Sequence, residues 1–136
     1  MLTFTIPGPP RGKGRPRAAV AGGHARMYTD KATASYESLV RLVADEARGP
    51  LALFEGPVGV SIHIVLSRPK RLMRKADPAG LMVCGAKPDT DNVVKAILDG
   101  CAVLWRDDAQ VARLEAWKDY AEKDLGSRVT VRVWAL

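Results

Sequence analysis

Five aspartates are crowded into two short stretches, "KPDTDNVVKAILDG" (Lys87 to Gly100) and "RDDAQV" (Arg106 to Val111). Asp89 and Asp91 lie two apart, just after Pro88, where the chain is expected to be extended. Residues i and i+2 of an extended chain point the same way, so both carboxylates can face one point. Such a pair repels itself unless a cation lies between, and hard divalent ions such as Mg²⁺ take carboxylate oxygens. A plain helix cap by Asp91 or Asn92, worth ~1 kcal/mol, accounts for the same letters. Asp107 and Asp108 precede a predicted strand and add carboxylates from a second segment, if helix and strand fold back on each other; a charged turn is the plain alternative. Lys95 stands one helical turn after Asp91 and one before Asp99. That spacing suits an ordinary i,i+4 ion pair. Beside a metal and a phosphodiester it equally suits orienting the phosphate and stabilising developing charge.

Other chemistries fit these letters poorly. An EF-hand loop starting at Asp89 needs Asp or Asn at its fifth position and Gly at its sixth, where Val93 and Val94 stand. Gly8 to Lys13 is one residue short of a P-loop, and Gly14 follows in place of Ser or Thr. "DTDNV" also matches the DxDx[TV] signature of haloacid dehalogenase-like phosphatases. In that family the motif follows a hydrophobic strand, and here Lys87-Pro88 occupies that place. His24 and His63 have no visible triad partners and read as structural.

The elements that must hold these residues follow from periodicity. "LTFTI" (Leu2 to Ile6) alternates and predicts a first strand, closed by "PGPP". From Thr29, Tyr36, Leu39, Val40, Val43 and Ala47 share one helical face, and the helix ends near Gly49-Pro50. Val58, Val60, Ile62, Ile64 and Leu66 alternate with Gly59, Ser61, His63 and Val65, the period of a strand. A second helix runs from about Asp91 to Cys101 with Val94, Ile97, Leu98 and Cys101 inward. An alternating strand over Val111 to Tyr120, a "KDLGS" turn and a last strand "RVTVRVWAL" complete the chain. The fold class is therefore α+β: a single domain over 1–136, with a mixed β-sheet of about four strands and two main helices packed mostly on one face. Basic mobile loops are expected at about 8–27 and 68–87, the second longer than usual connections.

Composition narrows the partners. The chain has 136 residues, enough for one core, and with 47% hydrophobic and 26% charged residues it is ordinary globular material. No apolar run approaches the ~20 residues of a membrane span. The N-terminus lacks a signal-peptide pattern, so a cytoplasmic site is expected. Cys84 and Cys101 have no metal-ligand spacing and are expected to be reduced. The net charge of +6 is uneven. Up to Tyr28 the charges are Arg11, Lys13, Arg15, Arg17 and Arg26 with no acid; from Arg68 to Lys87 they are Arg68, Lys70, Arg71, Arg74, Lys75 and Lys87 against Asp77 alone. Cationic Pro- and Gly-rich segments beside an acidic remainder point to a polyanion, most often nucleic acid, with solvated loops as the plain alternative.

Taken together, "KPDTDNVVKAILDG" and "LWRDDAQV" resemble the RusA-like family of Holliday junction resolvases, whose pattern is approximately KPDxDNxxKxxxD followed by W/Y-x-D-D-x-Q-[IV]. "IPGPPRGKGRPR", "MYTDKATASYESLV" and "SRPK" are similar to that family's first strand and basic loop, first helix and strand exit, so the likeness covers nearly the whole chain. Where the family often reads D-A-L-N-G, this chain has "DGCAVLW".

The resemblance implies that Asp89, Asp91 and Asp108 are catalytic metal ligands and Lys95 their basic partner, with Asp99 and Asp107 in supporting places. It implies Mg²⁺, with Mn²⁺ as a possible substitute, and no small-molecule cofactor. A homodimer making paired symmetric nicks in a four-way DNA junction follows, leaving 5′-phosphate and 3′-hydroxyl ends. Arg11, Lys13, Arg15, Arg17, Lys70, Arg71, Arg74, Lys75 and Lys87 would track phosphates without reading sequence. The setting would be a bacterial cytoplasm, with a bacterial or phage gene. A non-catalytic DNA-binding protein and a nuclease for flaps or other branches are the alternatives.

Overall fold

The computed structural model describes residues 1–13, 17–22, 24–28 and 31–136, with 17–21 and 24–28 described by backbone only. Five strands form one sheet in the order β1-β7-β4-β6-β5: β1 (Leu2–Pro7), β4 (Val58–Leu66), β5 (Met82–Val83), β6 (Val111–Tyr120) and β7 (Arg128–Ala135). β4 and β6 run parallel, and the other neighbours are antiparallel. A parallel pair requires a crossover, and here the crossover carries α2 (Thr90–Gly100). The first helix, α1 (Lys31–Arg48), packs on β1 and on α2. The expected α+β architecture is present, with one more strand in the main sheet than predicted. The addition, β5, is two residues long and too short to leave a periodic signature.

β4 is central, between β7 and β6, and is buried along nearly its whole length. The predicted inward residues Val58, Val60, Ile62 and Ile64 join the core with Phe4, Ile6, Val129, Val131 and Val133. The opposite face of β4 is also covered, because the Trp134 indole lies over Gly59 so closely that an added Cβ would sit 2.4 Å from it. From α1, Tyr36, Val40 and Ala44 are buried, whereas Leu39, Val43 and Ala47 are half-buried at the margin. α2 buries Val93, Val94, Ala96 and Ile97, and leaves Leu98 half-buried. Gly100 is where the helices meet: a Cβ there would lie 2.5 Å from Val40. Cys84 and Cys101 are buried free thiols, and burial pushes the Cys101 thiol up to about 12.

Both segments expected to be basic loops contain short regular elements. Within the first, β2 (Arg17–Ala21) and β3 (His24–Tyr28) form a two-stranded antiparallel hairpin, turning at Gly22 with φ +59°. Their Ala, Arg and His content carries no alternation, so periodicity could not reveal it. Arg15 lies outside the described residues, as do the side chains of Arg17, His24 and Arg26. The second segment contains a 3-10 turn at Lys70–Leu72 as well as β5. Arg68 ties it down, its guanidinium donating to the carbonyls of Ala121, Leu72 and Gly80. Among the described residues no helix is long and apolar enough to cross a membrane.

Candidate active site

α2 begins directly after the cis Lys87–Pro88 peptide, with Asp89 at its N-cap position. The Asp89 side chain makes no capping hydrogen bond, so helix capping does not explain it. Asp89 Oδ1 instead lies 3.0 Å from Lys87 Nζ in an exposed pair of little energetic weight. Asp91 stands in the first turn, where the helix dipole favours an anion. Lys118 on β6 holds the approach to the helix, its ammonium donating to the carbonyls of Ala86 and, at 2.7 Å, Pro88.

Asp91, Lys95 and Asp99 fall on one stripe of α2, about 12 Å from first to last at 1.5 Å per residue. That stripe forms one wall of a cavity of about 290 Å³. Asp108 and Trp105 line it too, and Val94, Leu98 and Val111 complete it. Four predicted site residues from two segments therefore share one space, and Asp89 lies outside its lining. Among the described residues no three His, Cys, Asp or Glu side chains cluster closely enough to make a ready metal cage. The carboxylates edge one cavity and do not converge on one point.

The turn into β6 is built by its own motif. Asp107 caps the 3-10 turn Asp108–Gln110, its Oδ1 accepting from the Ala109 amide at 2.8 Å, while Gln110 Oε1 accepts from the Arg106 and Asp107 amides. Gln110 Nε2 donates to the carbonyls of Phe54 and Gly56, fastening the turn to the lead-in of β4. Buried Trp105 donates from Nε1 to Asp108 Oδ1 at 3.0 Å and so orients that carboxylate. Asp107 is thus a cap, and Asp108 faces the cavity. The spacing W-x-D-D-x-Q holds the contacts within the turn, so that part of the signal for Trp105 and Gln110 was present in the string.

Lys13, expected to meet DNA phosphates, is half-buried and paired with two carboxylates. Its Nζ lies 2.6 Å from Asp99 Oδ2 and 2.9 Å from Glu37 Oε1, and these two carboxylates hold the ammonium above the ordinary lysine range. Its backbone amide donates to Asn92 O, and Gly12 approaches so near that an added Cβ would sit 3.0 Å from Asn92 Cβ. Asp99 is thereby committed to Lys13. Lys95 has no ion-pair partner among the described residues, so the simple i,i+4 explanation for it is not realised. Of the other expected phosphate contacts, Arg11, Lys70, Arg71, Arg74, Lys75 and Lys87 are exposed. Arg71 and Lys87 also line a second, basic cavity of about 440 Å³ with Arg68 and Tyr120.

Residues 7–133 match the family described as Endodeoxyribonuclease RusA. The chain belongs to that family. The RusA match spans the β1 exit, the hairpin, both helices and the acidic turn, so it covers every element that builds the cavity. The chain is also 32% identical over 128 residues to a protein of Bacillus subtilis (strain 168) named uncharacterized protein YqaN, covering 90% of this chain and 89% of that one. RusA membership bears out the resemblance read in the acidic motifs, and with it an endodeoxyribonuclease class of activity on DNA.

Proposed function

We propose that this RusA-family chain is a metal-dependent endodeoxyribonuclease that resolves Holliday junctions by paired, symmetric nicks, in DNA recombination and repair. The observation that carries the reading is the shared cavity: Asp91, Lys95 and Asp108, from two segments, line one space in an endodeoxyribonuclease-family chain. The donors suit Mg²⁺, with Mn²⁺ as a substitute, because Asp91 and Asp108 offer hard carboxylate oxygens there and Asp89 adds another just outside. A bound ion would supply Lewis acidity toward the phosphate and a lower pKa for water.

The chain's own residues account for the remainder. Lys95, free of any described ion pair, is placed to meet negative charge growing on the phosphate oxygens. Trp105 keeps Asp108 aimed at the cavity, and Lys13 holds Asp99 in an ion pair at the cavity wall. The exposed cations of the 68–87 segment hold the DNA backbone. As the water oxygen bonds to phosphorus, the bond from phosphorus to the 3′ oxygen breaks. A water proton ends on that oxygen, leaving a 3′-hydroxyl and a 5′-phosphate.

Two related cuts suit two copies of the chain about a two-fold axis, hence a homodimer. We place it in the cytoplasm of a bacterium, whether the gene is chromosomal or phage-borne. The deciding experiment compares fixed and mobile four-way junctions with linear and flap DNA, with and without Mg²⁺. Paired junction cuts that need Mg²⁺ are expected. Preferential cutting of flaps would change the substrate, and tight, salt-sensitive binding with no strand ever cut would replace the nuclease by a non-catalytic binder.

A further inference from the structure

β6 is an edge for most of its length. Among the described residues its outer side is engaged only from Lys118 to Tyr120, by the two residues of β5 and the Cys84 amide that follows them. From Ala112 to Trp117 every residue is exposed, although from Arg113 onward the strand's other side is paired to β4. Leu114 is 44% and Trp117 45% exposed, on opposite faces of the sheet. An edge carrying large apolar side chains is a template for another strand.

The backbone groups can be placed. The Lys118 carbonyl accepts from the Cys84 amide, so it points to the β5 side. Counting back by twos, Ala116 and Leu114 present their N–H and C=O groups to the same free side. Regular pairing with β4 begins at Arg113, since the ladder skips Ala112.

We propose that this edge receives a second copy of the same chain, as an antiparallel β6 pair whose two-fold axis passes through Leu114. That a partner is a second copy agrees with, and for its biological purpose rests on, the paired-nick reading above. The register, however, comes from the strand. In an antiparallel pair about a two-fold, opposed residues must present alike, so the axis falls on a residue and not between two. An axis at Arg113 or at Glu115 sets like charges face to face, which destabilises. An axis at Ala116 runs Leu114 against Lys118, whose carbonyl the Cys84 amide already occupies. At Leu114, each Arg113 meets Glu115 of the second copy and each Glu115 meets Arg113.

These flanking positions form non-hydrogen-bonded pairs, with Cα atoms about 4.5 Å apart and side chains close. Neither side chain has an ion pair among the described residues. Charges on an edge ordinarily discourage pairing. The reversed copy is the partner that brings the opposite sign to both, while Leu114 meets Leu114 and Trp117 meets Val111. The two Val111 positions, each on its own acidic cavity, then stand about 20 Å apart along the joined ladder.

Sedimentation equilibrium of the full chain without DNA tests the edge. The wild type is expected to be a dimer. Arg113→Glu and Glu115→Arg are each expected to weaken it roughly tenfold or more. The R113E/E115R double variant should recover dimerisation, and an equimolar mixture of the two single variants should form a heterodimer. Both positions are exposed, and circular dichroism would verify that the variants are folded. A monomeric wild type overturns the proposal. So does a wild-type dimer that neither single variant weakens, and if that dimer still cuts junctions in pairs, only the edge is wrong. A dimer obeying the charge swaps that never cuts DNA upholds the edge and sinks the nuclease reading.

Discussion

One ammonium ties the N-terminal segment to both helices: Lys13 Nζ stands 2.6 Å from Asp99 on α2 and 2.9 Å from Glu37 on α1. Lys13→Met is expected to lower stability by about 1 kcal/mol in urea unfolding, allowing for the partial exposure of the pair. The pH dependence has a definite sign. Asp99 and Glu37 raise the lysine above its ordinary value, so its contribution is full below about pH 10.4 and is lost as pH climbs through the raised value. Buried Cys101 adds to the alkaline loss in both proteins. The measurement is therefore the difference between wild type and variant, which should narrow as pH rises above 10.4.

Asp91→Asn and Asp108→Asn are expected to abolish junction cleavage, each by at least about a hundredfold, while leaving the fold unchanged. Lys95→Ala should cost about 10²–10³ in rate with little change in junction binding. Chelation by EDTA should stop wild-type cleavage, and added Mg²⁺ should restore it. Asp107→Asn should retain cleavage, because Asp107 acts as the cap of the turn. Single-turnover cleavage of a labelled junction measures the four variants and the effect of chelation.

Lys70 and Arg71 are exposed in the tied-down basic segment and belong to no described ion pair. Replacing both by Ala should weaken DNA binding about equally for all sequences and lower the salt slope of log K by about 2. Titrations of one junction over a range of salt concentrations give that slope. An unchanged slope would remove this segment from the DNA path.

The α1–α2 contact has no spare room at Gly100, where a Cβ would fall 2.5 Å from Val40. Gly100→Ala should destabilise by about 1–3 kcal/mol through overpacking. Adding Val40→Ala should recover part of that loss, a coupling that thermal unfolding of the double-mutant cycle would detect.

Helix α2, strands β1, β4, β6 and β7 and the acidic positions were legible in the string. Each is a local pattern, and periodicity and motif spacing are local. The hairpin and β5 were not legible, since short strands of small or charged residues leave no period. The ion pairs of Lys13 were hidden for a related reason. A basic residue in a Gly- and Pro-rich run looks solvated until the fold brings Asp99, 86 positions away, to its ammonium.

By itself, then, the sequence determined the family, the α+β class and the acidic and basic residue types, because motif spacing, alternation and charge are written along the chain. Only the tertiary structure decided which acids share a cavity, that Asp99 serves Lys13, and that, among the described residues, Lys95 has no ion pair and β6 keeps an open edge. Those outcomes depend on which distant segments pack together, and packing sets distance, burial and strand pairing in three dimensions.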